Sequence, residues 1–270
     1  MRISAAVLCL VAGCSGCKDR DAVPKQAPSP RTTAVADENR PAPPRPSLEP
    51  AEVSGLGVVP ATQLGPKIVM SKDGISLDGQ QVVAISEDGV IDRARLEALT
   101  QQLEQKATSD APVALTLDAT LPYRRIAILL DALKKGGFRN IALLTGSGST
   151  MIPIELKDTN EANTEGVRPI VTVKQNYVSV WSASGTEGTR KQPKLAYELT
   201  DPPDFKPVTR ALADIVQSHW PDGKRSDAER IIILQLDGDK PAQLLLQLAA
   251  AVRADGSLVL FPGIYLSAGA

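Results

Sequence analysis

The stretch DATLPYRRIAILLDALKKGGFRNIALLTG, Asp118–Gly146, returns in diverged form as DGDKPAQLLLQLAAAVRADGSLVLFPG, Asp237–Gly263. The offset is 119 positions (237 − 118), and no gap is needed to carry it through. Leu117 falls on Leu236, Pro122 on Pro241, Ile126 on Leu245, Leu133 on Val252 and Gly137 on Gly256. In each stretch an Asp closes an apolar run, a proline opens a helical pattern and a glycine stops it.

Working outward from the first stretch, KIVMS, GISLDG and QQVVAIS read as strands separated by turns at Asp73-Gly74 and Asp78-Gly79. A helix follows, with Asp92 placed to cap it and Leu96, Leu99 and Leu103 on one face. VALTLD is a strand. Thr120 is placed to cap the next helix, with Pro122 in its first turn, and Ile126, Leu129, Leu130 and Leu133 form its apolar stripe. RNIALLT closes the unit. The second stretch has the same surroundings: PIVTV and NYVSVWS as strands, a polar insertion from Ser184 to Pro203 read as a mobile loop, and a helix over Phe205–Trp220. RIIILQLD, a helix from KPAQLLL onward and a final strand LVLFPGIYL complete it.

The expected fold class is therefore α+β, as two tandem two-layer β-β-α-β-α-β units, each a small sheet with two helices on one face. Their expected bounds are 66–146 and 168–270, with 147–167 as the linker between them; a single mixed domain is the alternative. The leucines of QLLLQLAAAV are spread around more than one helical face, which suits either an intramolecular pseudo-dimer of the two units or burial by the helix's own sheet.

The N-terminus, MRISAAVLCLVAGCSGC, has a basic start and an apolar run too short to span a bilayer. LVAGC, ending at Cys14, resembles a bacterial lipobox. That resemblance implies a lipoprotein signal peptide over 1–13, cleavage before Cys14 and lipid on its sulfur, with Cys17 as an alternative acceptor. Ser15 after the cysteine implies the outer membrane, at the periplasmic face of the envelope. From 14 to 65 the chain is the anchor and a linker rich in Pro, Ala and charge, expected to be disordered. Its reach would be on the order of 150 Å fully extended and nearer 40 Å as a relaxed coil.

VALTLDATLPYRRIAILLDALKKGGFRNIALLT resembles the periplasmic core of the ExbD/TolR biopolymer-transport family, in which a strand ends in Asp, a Tyr opens a helix and DALKKGGF leads into a last strand. Asp118, Tyr123, Asp131 and Gly137-Phe138 carry the match, which covers 67–145. The second stretch keeps Asp237, Pro241 and Gly256 but has Gln243 near the Tyr position and Ser257 for Phe138. The resemblance implies a non-enzymatic adaptor or binding subunit, whose partners would be an ExbB-, TolQ- or MotA-like channel protein, other envelope proteins or peptidoglycan. The only candidate membrane segment is the cleavable signal, which carries no Asp, so this chain would not perform the proton step. A structural tether without any motor is the alternative.

Composition narrows the chemistry. Lys+Arg 30 against Asp+Glu 31, with 3% aromatics, argues against nucleic acid as a partner. All three cysteines lie at Cys9, Cys14 and Cys17, and His219 is the single histidine, so no catalytic triad, metal site or cofactor is expected. Asp118, Tyr123, Arg124 and Arg125 are the candidate ligand- or partner-binding residues, set at a strand end and the mouth of the next helix. An enzyme of envelope polymers would need Asp118 and Asp237 to converge across one cleft, within roughly 5–10 Å. TGSGST, Thr145–Thr150, lacks the Lys and following helix of a phosphate loop and reads as linker. Asp239 reads as a helix cap ahead of Pro241.

Overall fold

The structure is a computed structural model describing residues 58–268 except 87–88, 107–110, 147, 158–165, 222–229 and 257. The signal peptide, Cys14 and most of the proline-rich linker lie outside these residues.

Strands alternate with helices as the periodicity dictates. The first half comprises β1 (Val59–Pro60), β2 (Lys67–Met70), β3 (Gly74–Leu77), β4 (Gln80–Ala84), α1 (Arg93–Lys106), β5 (Val113–Leu117), α2 (Tyr123–Lys135) and β6 (Asn140–Thr145). After β7 (Thr150–Leu156) come β8 (Pro169–Lys174), β9 (Tyr177–Ser182), β10 (Leu195–Glu198), α3 (Lys206–His219), β11 (Ile231–Leu236) and α4 (Ala242–Arg253). A short hairpin, β12 (Ala254–Asp255) and β13 (Leu258–Val259), precedes the last strand, β14 (Gly263–Ala268).

These elements do not form two small tandem units. They build one mixed sheet of twelve strands in the order β10-β9-β8-β11-β14-β7-β6-β5-β2-β3-β4, with β1 added to β7. The expectation of two separate two-layer units fails at the segment assigned to a linker. Residues 150–156 form a central strand, antiparallel to β6 along its length and parallel to β14 at Glu155 and Leu156. Ile152, Ile154 and Leu156 alternate into the core, so leaving this segment outside a sheet would expose three large apolar side chains. Pro153 is tolerated because it falls between the stretch of β7 paired with β1 and the stretch paired with β14.

On either side of β7 the same order recurs: an antiparallel hairpin, a helix, a parallel strand beside the hairpin's first strand, a second helix and another parallel strand. A single apolar core lies on one face of the sheet. Leu77, Ile68, Leu115, Leu143 and Ile152 form one lateral row of it, and Leu234, Val171 and Val180 form a separate row in the other half. The four helices cover that face, α1 against α2, α2 against α4 and α4 against α3. α4 is buried nearly all round, through Leu244, Leu245, Leu246, Leu248, Ala249 and Val252, because it lies between two helices and above the sheet.

Two further expectations need correction. LVLFPGIYL is not one strand: Leu258–Val259 folds back on Ala254–Asp255, and the sheet strand starts only at Gly263, after Pro262. Leu260 and Phe261 are driven into the core instead, with Phe261 edge-on to Trp220 at 6.1 Å between ring centroids. The insertion after Ser184 is also not a plain loop, since Leu195–Glu198 pairs with β9 as an edge strand.

Candidate functional site

The turns Asp118–Pro122 and Asp237–Pro241 meet between α2 and α4. The Tyr123 N–H donates to the Lys240 carbonyl at 2.7 Å, and the Ala242 N–H donates to the Leu121 carbonyl at 2.8 Å. The Arg124 N–H donates to Gly238 and the Gln243 N–H to Ala119, both at 3.0 Å. Each bond of a pair becomes the other when its residue numbers are moved by the offset between the two halves. Helix N-termini leave their first N–H groups without intrahelical partners; here each helix has them filled by the other half's turn. Neither helix has a side-chain cap, and Pro122 and Pro241 occupy the N-cap positions. The capping roles expected of Thr120 and Asp239 are therefore not realised, whereas Asp92 does cap α1, accepting from the Ala94 N–H at 2.9 Å. Close approach is needed for this junction: a Cβ on Gly238 would lie 3.2 Å from the Arg124 Cβ.

The candidate residues sit around this junction, in different roles. Asp118 is buried, and its Oδ1 accepts from the Thr120 N–H at 3.0 Å and the Thr120 hydroxyl at 2.6 Å, which locks its own turn. Asp237 accepts from the Gln175 N–H at 2.6 Å and ties its turn to the β8–β9 hairpin. One oxygen of each carboxylate is thus held by a backbone N–H, which fixes both groups as ties of their turns. Tyr123 is fully buried and donates its hydroxyl to the Ser267 carbonyl of β14 at 3.0 Å, so it pins the first half to the last strand of the second. Burial, and next the neighbouring Tyr265, push its phenol well above the ordinary range. Arg124 is exposed. Arg125 is half-buried, packed against Gly89, whose φ of +78° suits the close turn there. Of the four candidates, only Arg124 faces open solvent.

The accessible concavity lies on the other side of Arg124. A groove of about 980 Å³ runs over the outer surface of α2, between α1 and the ends of β7 and β14. Its lining includes Ile128, an isoleucine 43% exposed on a helix whose other large apolar side chains face the core. Glu97, Gln101 and Glu104 of α1 line one wall; Arg124, Lys157 and Tyr265 line the other. Lys134 stands over the Tyr265 ring, 5.0 Å from its centroid. Many of these charges are already paired: Lys135 with Asp131 at 2.7 Å, and Lys157 with Glu155. The sequence signal for this groove is Ile128, the one large apolar side chain off the α2 stripe.

A second polar cluster was also missed. Glu187, in the insertion after β9, accepts from Lys194 Nζ at 2.5 Å and meets His219 Nε2 at 2.6 Å at the end of α3. Burial alone would raise the Glu187 carboxyl, but hydrogen bonds from Lys194 and His219 outweigh it and hold the carboxyl below its usual range. This cluster fastens the insertion to the helix. Gly146, Gly148 and Ser149 lie in the turn between β6 and β7, where the Gly148 N–H donates to the Thr145 carbonyl at 3.0 Å. Among the described residues there is no group of three or more His, Cys, Asp or Glu side chains placed to hold a metal, and no helix long and apolar enough to cross a membrane.

Comparison with known proteins adds little to this geometry. No protein family is matched by the chain, and no curated protein matches it significantly. A solved structure from Bacteroides thetaiotaomicron, described as a protein with actin-like ATPase fold and unknown function, is 10% identical over 76% of this chain and 91% of its own, at a TM-score of 0.22. A likeness that distant fixes neither the fold nor the activity of this chain.

Proposed function

We propose that the chain is a non-enzymatic lipoprotein adaptor, anchored through Cys14 at the periplasmic face of the outer membrane, that binds a protein partner through the groove over α2. The observation that carries the reading is the groove itself, an open concavity lined by an exposed Ile128 and by charged side chains. Apolar centres with polar rims are how protein contacts are built. Asp118 held in its own turn and Asp237 held against the β8–β9 hairpin support a structural role for these carboxylates over a hydrolytic one. The likeness of the Asp118 segment to ExbD and TolR supports a channel subunit of the ExbB, TolQ or MotA kind as partner, and the lipobox and proline-rich linker support a tethered module.

The test is purification of the full-length protein and its Ile128→Asp variant from gently solubilised envelopes, with quantitative mass spectrometry of what accompanies each. A channel subunit recovered with the wild type and reduced roughly tenfold or more with the variant is the expected result. Equal recovery with both would remove the groove from the contact. Recovery of peptidoglycan and wall-bound proteins alone would make the chain a tether. Muropeptide release abolished by Asp118→Asn would overturn the non-enzymatic reading.

A further inference from the structure

We draw no further inference here: the strongest candidate, the groove between α1, α2 and β14, belongs to the site already described, and nothing in the structure shows what covers it.

Discussion

Tyr123 and Lys240 are joined by a 2.7 Å main-chain hydrogen bond, and their counterparts Ala242 and Leu121 are joined by one of 2.8 Å running the opposite way. Two halves of one chain therefore exchange the groups that finish their helices. Each such bond contributes about 0.5–1.5 kcal/mol net, but leaving the buried donors without partners would cost more.

Pro122 and Pro241 form an antiparallel bridge at the centre of that exchange. Replacing both with cysteine, in a Cys17→Ser background, should give a disulfide within one chain. Non-reducing electrophoresis should show a faster-running monomer, and oxidation should raise stability by on the order of 2–4 kcal/mol. A covalent dimer as the main product would mean that the junction forms between chains.

Tyr123→Phe should cost about 1–3 kcal/mol in urea unfolding, because the Ser267 carbonyl loses the buried donor. Tyr123→Ala should cost about 3–5 kcal/mol through the added cavity. The raised phenol also predicts a pH effect. The neutral form is favoured in the folded state, so its stabilisation is fully present below the unfolded pKa of about 10 and is lost as pH rises above it. The phenylalanine variant should lack that part of the alkaline loss.

Glu187 predicts the opposite pH dependence. Its folded carboxyl is held low, so the stabilisation is present above the unfolded value of about 4.3 and disappears as pH falls through the folded one. Glu187→Gln should be less stable than the wild type near neutrality by about 1–3 kcal/mol, and the gap should close in acid. Limited proteolysis should then cut more readily at Arg190 and Lys191 in the variant. An unchanged gap at low pH would assign the loss to packing rather than charge.

Cys14→Ser should leave the protein unlipidated and shift it out of the outer-membrane fraction. Ser15→Asp should move the lipidated protein to the inner membrane. Fractionation and intact mass would read both, and a wild-type mass without lipid would end the anchored reading.

Most individual elements were legible because Leu96, Leu99 and Leu103, or Ile126, Leu129, Leu130 and Leu133, can face one core only as helices. The assembly was not. Ile152, Ile154 and Leu156 carry a strand's alternation, yet Pro153 and the preceding glycines also fit a linker, and only the gap between two half-sheets decides between them. The 119-residue offset pointed to two alike halves but held no information on whether they share a sheet. At Asp118 and Tyr123 the residue types were those of a binding site, while the partner of the buried Tyr123 hydroxyl, Ser267 of β14, lies far along the chain. The helix caps failed for the same reason: local rules place Thr120 and Asp239 correctly in sequence, and distant carbonyls displace them.

The crossed turns give the fold a test of completeness. A chain that stops before Asp237 can form β5 and α2, but the Tyr123 and Arg124 N–H groups then find no carbonyls, and Tyr123 has no Ser267 to reach. The start of α2 is not finished until the last segment arrives. Truncated products would thus present an open, solvent-exposed helix start to proteolytic quality control, while the intact chain hides it.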